Sequence, residues 1–206
     1  MAIGDYAELQ AAIQGFLWNR ADVAAQIPDF IRLAEAQMNR RLTCRQMERI
    51  DPDFTLYGEM VPLPDDFAGV KSFRVTSQAN QAPLQYTSPE GLERLGNYGG
   101  PPSHYSIVGD QFAFFPFNGG TYTARLRYRQ TIPSLSDAEP VNWLLQAHPD
   151  VYLYGALTQS APWLHEDERL EVWAALFRAA IDDINSDGVR QATGATLHMG
   201  PSGGVI

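Results

Sequence analysis

Three arginines at four-residue spacing, Arg41, Arg45 and Arg49, with Arg40 beside the first, form the clearest charged pattern in the chain. On a helix, that spacing gathers the guanidinium groups on one face. Such a stripe suits an acidic partner surface or the phosphates of passing DNA. A solvated face with local pairs to Glu48 and Asp51 accounts for it equally well. Arg125, Arg127 and Arg129 repeat the theme at strand spacing. Three like charges on one sheet face repel one another unless carboxylates of a neighbouring strand, or of another chain, lie opposite. The basic residues are 14 arginines and one lysine, Lys71. The planar arginine fork favours ion pairs and interfaces, although GC-rich codon usage leaves the same bias.

Residue types that do catalysis are present but scattered. His104, His148, His165 and His198 have no second histidine or cysteine at ligand spacing, so no metal site is expected. There is no phosphate-cradling glycine loop, no dinucleotide fingerprint and no nucleophile elbow, and no cofactor is expected. Cys44 lies among Arg41, Arg45 and Arg49, whose charges favour a thiolate, but no histidine is near it in sequence to serve as its base. Asp65-Asp66 follows a proline and reads as a turn. Asp182 and Asp183 are adjacent on a helix and point in different directions. The chain is therefore expected not to be an enzyme, and a small hydrolase built on Cys44 or distant carboxylates is the weakest alternative. Phe112, Phe114, Phe115, Phe117, Tyr122 and Tyr128 crowd one region, and Phe114-Phe115-Pro116-Phe117 cannot bury every ring by alternation. Exposed rings there, Phe115 and Phe117 among them, suit an interaction site or a β module that binds a ligand or sugar. A covering helix at 88–95 is the competing account.

Three zones must position these residues. In the first, Asp5 and Glu8 have capping-box spacing, and Tyr6, Leu9, Ile13, Phe16 and Leu17 recur at helical period. Residues 20–26 read as a connection. A second helix opens at Pro28 with Phe30, Ile31, Ala34, Met38 and Leu42 on its buried stripe, antiparallel to the first. The middle zone is broken by prolines. Val70, Phe73 and Val75 suggest a strand, Ser88 caps a short helix, and Gly109-Asp110 suits a type II′ hairpin. Tyr122, Ala124, Leu126 and Tyr128 then alternate cleanly with the arginines. In the third zone Pro149-Asp150 opens a helix, and Glu166, Asp167 and Glu168 start another. That last helix presents Leu170, Trp173, Leu176, Phe177, Ala180, Ile181 and Ile184 and stops at Gly188.

A helical pair of about 40 residues buries too little surface to stand alone, so the two ends are expected to pack together. The predicted fold is α+β. Residues 1–50 and 141–187 form a four-helix bundle, residues 51–140 an inserted antiparallel β domain, and 188–206 an extended C-terminal arm. At 206 residues, 45% apolar and 19% charged, the chain has ample core material. No apolar run of about eighteen residues is present to span a bilayer, no membrane partner is expected, and MAIGDYAELQ lacks the features of a secretory leader. A single cysteine excludes an internal disulfide framework and fits a reducing cytoplasm. The net charge of −9 disfavours generic grip on duplex DNA.

The run DYAELQAAIQGFLWNRADVAAQIPDFIRLAEAQMNRRLTCRQME resembles the start of the head–tail connector adaptors of tailed bacteriophages. The likeness continues through VPLPDDF, HYSIVGDQFAFFP and LRYRQTIPSLSDAEPVNWLLQAHPDVYLYGAL and fades after about residue 187. The resemblance implies a virion structural protein at the head–tail interface, made in the host cytoplasm. It implies a ring homo-oligomer, commonly dodecameric, whose partners are its own copies, the portal protein and the next tail or nozzle component. Genomic DNA would pass through the lumen without sequence-specific binding. A terminal arm reaching the portal would be residues 189–206. Arg41, Arg45, Arg49, Phe115, Phe117, Arg125, Arg127, Arg129, Gln191, Leu197, Met199, Val205 and Ile206 are the expected subunit or portal contacts.

Overall fold

The computed structural model describes residues 3–77, 82–96, 99–164 and 168–193, the last five of these by backbone alone. Its contacts divide the chain into two compact units, residues 1–45 with 132–206, and residues 46–131. The fold is α+β: among the described residues there are seven α-helices and two sheets.

The first unit is helical. It contains α1 (Tyr6–Phe16), the single turn α2 (Ala21–Ala24), α3 (Ile27–Arg41), α5 (Trp143–Ala147), α6 (Pro149–Gln159) and α7 (Arg169–Thr193); α4 belongs to the second unit. Asp5 caps α1 by accepting from the Glu8 N–H at 2.8 Å, while the Glu8 carboxylate reaches back to the Gly4 N–H at 2.7 Å, one residue beyond the usual box partner. Asn142 caps α5 in the same way through the Leu145 N–H. The connection expected at 20–26 contains α2, and α3 opens with Pro28 in its first turn.

α6 is the hub. It touches α1, α3, α5 and α7, and Val151, Tyr152, Leu153, Gly155, Ala156 and Leu157 are all buried along it. A helix that is apolar on every side belongs at a centre, not on a surface. Gly155 makes the close approach possible, because a Cβ there would stand 3.0 Å from the Phe177 ring and 3.2 Å from the Ala34 Cβ. Two stripe residues predicted to be inward point outward instead: Phe16 and Leu176 are exposed, while Leu9, Ile13, Trp173, Phe177, Ile181 and Ile184 fill the core.

Gly188 does not end α7, which continues to Thr193, so the first residues of the expected arm are helical. This glycine has a packing reason: a Cβ on it would meet the Cys44 Cα at 3.3 Å. Cys44 itself is buried and lies outside any helix, between α3 and the 3₁₀ turn Arg45–Met47.

The second unit is two facing sheets. One has the order β1 (Glu48–Leu56), β7 (Tyr122–Gln130), β3 (Phe67–Val75). The other has the order β2 (Met60–Pro62), β6 (Gln111–Phe115), β5 (His104–Val108), β4 (Gln85–Tyr86). All pairs are antiparallel except β4 with β5, which are joined through α4 (Pro89–Arg94), capped by Ser88. At the β5–β6 turn Gly109 takes φ 60°, and among the described residues the only non-glycines with positive φ are Trp18 and Asn19, so Asp110 fits the II′ pattern.

Most of the aromatic run is core: Phe112, Phe114, Tyr122 and Tyr128 are buried, while Phe115 and Phe117, the rings expected to be left over, are half-buried. Phe73 of one sheet meets Phe112 and Phe114 of the other at ring-centre distances of 5.2 and 5.4 Å, and Phe54 and Phe67 close on Phe112 edge-on. Leu56, Val75, Ala124, Leu126 and Tyr128 complete this layer. Each tilted or edge-on pair contributes about 0.5–1.5 kcal/mol beyond its buried area.

Candidate functional site

The arginine stripe of residues 41–49 is not a helix face. Arg41 is the last residue of α3, Arg45 lies in the 3₁₀ turn and Arg49 is on β1. The chain leaves the helix at Leu42, whose backbone is extended, and Asn185 of α7 fixes the exit by accepting from the Thr43 N–H at 2.8 Å and donating to the Arg41 carbonyl at 3.0 Å. Arg49 pairs with Asp66 at 2.8 Å. The turn carboxylate therefore has a structural use: Asp66 also accepts from the Tyr128 hydroxyl at 2.9 Å, and burial pushes that phenol up to about 12.

The β7 arginines are where alternation puts them. Tyr122, Ala124, Leu126 and Tyr128 are buried, and Arg125 and Arg127 are exposed on the opposite face. Arg129 is half-buried and its guanidinium donates to the Ala68 carbonyl at 3.4 Å. Compensation from a neighbouring strand is partial. Glu48 on β1 reaches Arg127 at 3.5 Å and Lys71 at 3.4 Å. Arg125 stands directly opposite Arg74 of β3, and neither makes an ion pair among the described residues. The two flank a cleft of about 220 Å³ that also takes in Ser72, Pro83 and Arg127. Arg74 was missed in the sequence because only the strand register brings it opposite Arg125.

Phe115 and Phe117 are half-buried; Phe115 precedes Pro116 through a cis peptide bond and Phe117 packs on Tyr122 at 6.0 Å. Among the described residues of this unit, the large exposed aromatics are Tyr57 and Tyr86. Gln191 lies in the final turns of α7. Leu197, Met199, Val205 and Ile206 lie outside the described residues.

The helical unit carries an apolar groove of about 480 Å³ bounded by Ala12, Phe16, Trp18 and Leu153. The Arg169 guanidinium sits 3.8 Å above the Trp18 ring and 4.8 Å from that of Trp173. Among the described residues that line the groove there is no histidine, cysteine or carboxylate. Among the described residues no group of three or more His, Cys, Asp or Glu side chains could hold a metal ion, and no helix is long and apolar enough to cross a membrane.

The buried polar cluster of this unit is structural. Glu35 on α3 accepts from the Leu135 N–H at 2.8 Å and from the Tyr152 hydroxyl at 3.2 Å, and Asn142 donates to the Pro133 carbonyl at 2.7 Å. Desolvation raises the Glu35 carboxyl above its usual range and the Tyr152 phenol above its own. These bonds anchor the segment 132–142 to the helices.

Compared with known proteins, residues 5–200 match the family model described as SU10 adaptor protein. No curated protein matches the chain.

Proposed function

The chain belongs to the SU10 adaptor protein family, a family of phage head–tail adaptors, and from that premise we propose that it is a ring subunit joining the portal to the tail. In this reading the helical unit works as a four-helix bundle that carries the inserted β unit, and copies associate side by side around the DNA channel, with twelve the expected number. The portal protein lies on one side of the ring and the next tail or nozzle component on the other. DNA passes through without being gripped, as suits a chain of net charge −9.

The observation that carries this reading is the family match over nearly the whole chain. The distribution of unpaired groups supports it: paired carboxylates, a buried cysteine and buried aromatics serve packing, whereas Arg74, Arg125, Val172 and Leu176 remain on the outside. Within this proposal Arg41, Arg45, Arg125 and Arg127 belong to copy–copy or portal contacts, and the segment after Thr193, with Leu197, Met199, Val205 and Ile206, is the arm that reaches the portal.

Electron microscopy of the purified chain mixed with portal rings tests the proposal. A symmetric ring of this protein on the narrow end of the portal is the expected image. A monomer that ignores the portal and turns over a small molecule would replace the reading with an enzymatic one.

A further inference from the structure

The exposed basic face of the β1–β7–β3 sheet has a counterpart on the same chain. Arg74 and Arg125 are cross-strand neighbours with no carboxylate between them, and like charges so placed destabilise a sheet unless something anionic covers them. Beside them, Arg127 faces the exposed Ile50 across the strand pair. The helical unit is the acidic part of the molecule: residues 1–45 and 132–206 hold 15 carboxylates and 8 basic side chains, a balance of −7, against 9 and 7, a balance of −2, in residues 46–131. On α7, Val172, Leu176, Ala179 and Asp183 share one exposed stripe at helical spacing, with Asp182 on its flank. Val172 and Leu176 are 57% and 41% exposed, and neither aspartate makes an ion pair among the described residues. Each face thus has an apolar part next to a charged part, and the charges are of opposite sign.

We infer that the Arg74–Arg125 face of one copy docks on the Val172–Asp183 face of α7 in a second copy. Two different but complementary surfaces on one chain make a head-to-tail contact, the kind that closes into a ring. The inference rests on the adaptor reading above and names the surfaces that would join its copies. DNA phosphate is the less suitable occupant, because a chain of charge −9 repels a polyanion and Glu48 already neutralises part of the basic face.

The test uses the full chain with charge reversals, R74E/R125E on one face and D182R/D183R on the other, followed by sedimentation alone and with portal rings. All four side chains are exposed, and circular dichroism checks the fold; R74Q/R125Q and D182N/D183N stand in if a reversal unfolds the chain. Each reversal is expected to weaken copy–copy association at least about tenfold, and a one-to-one mixture of the two reversed chains is expected to restore it. Association of both variants at the parent level, or a mixture that stays dissociated, overturns the inference while leaving the adaptor reading intact. Loss of duplex DNA binding by R74E/R125E with assembly unchanged also overturns it and assigns the face to nucleic acid. A parent chain that neither self-associates nor joins the portal overturns both.

Discussion

Glu35 of α3 and Tyr152 of α6, 117 residues apart in sequence, share a hydrogen bond of 3.2 Å inside the helical unit. The same carboxylate oxygen holds the Leu135 N–H, so one side chain ties together two helices and the segment that returns from β7. Burial raises the Glu35 carboxyl, which means that the folded state binds its proton more tightly than the unfolded chain does. Stability therefore falls as pH rises from the ordinary glutamate value of 4.5 through the raised one. Glu35→Gln keeps an acceptor and removes the buried charge, so denaturation of this variant at pH 7 is expected to be no easier than for the parent, with the pH slope flattened. Glu35→Ala orphans two donors and is expected to lose about 2–4 kcal/mol. A Gln variant as unstable as the Ala variant would refute this account.

Most of the fold is legible in the sequence where one local rule dominates. Asp5 and Ser88 sit where capping chemistry puts them, and the alternation of β7 needs no tertiary information. The illegible parts are those decided by distant partners. β1 hides behind Pro52, which falls in the register break between Asp51 and Phe54 and removes the expected pattern from a real strand. Breaks at Phe67/Gly69 and Val70/Ser72 disturb β3 in the same way. Arg41, Arg45 and Arg49 read as a helical stripe because nothing local announces that Asn185, 142 residues away, fixes the exit of α3. Gly188 looks like a stop signal because the Cys44 backbone that demands its small size is invisible in sequence.

Two helical glycines give opposite expectations for the same substitution. Gly15 of α1 has open space where a Cβ would stand, so Gly15→Ala is expected to stabilise by about 0.5–1 kcal/mol through helix propensity. Gly155 of α6 has the Ala34 Cβ at 3.2 Å, and that atom moves only if α3 moves. There the propensity gain is outweighed, and Gly155→Ala is expected to lose about 1–2 kcal/mol. Thermal melts of the two variants that shift in the same direction would refute the packing argument.

The Arg49–Asp66–Tyr128 chain predicts behaviour in alkali. Tyr128 holds its proton to about 12, from burial first and the Asp66 bond second, whereas an unfolded tyrosine releases it near 10.0. Below 10 both states are protonated and no dependence arises. Between the two values the unfolded chain ionises while the folded one does not, so stability falls as pH rises. Tyr128→Phe is expected to melt with a shallower slope over that range, measured by circular dichroism, and Asp66→Asn to cost about 1–3 kcal/mol at neutral pH. An unchanged alkaline slope in the Phe variant would show that Tyr128 is not the group responsible.

Under the adaptor proposal, removal of residues 194–206 is expected to separate portal attachment from copy–copy assembly. The cut falls after Thr193, beyond the last described turn of α7, and leaves intact the stripe from Val172 to Asp183 and the Gly188 contact with Cys44. The thirteen residues span at most about 45 Å when extended, enough to reach from a ring subunit onto a neighbouring component. Under the proposal, burial of apolar side chains in this segment supplies the portal contact. Leu197, Met199, Val205 and Ile206 are its apolar side chains of any size. The truncated chain is expected to fold and self-associate as the full chain does, while its portal binding, followed by co-sedimentation, falls at least about tenfold. Replacing those four residues with serine in the full-length chain is expected to reproduce the loss, since length is kept and burial is not. Undiminished portal binding by the truncated chain would move the main portal contact onto the folded units.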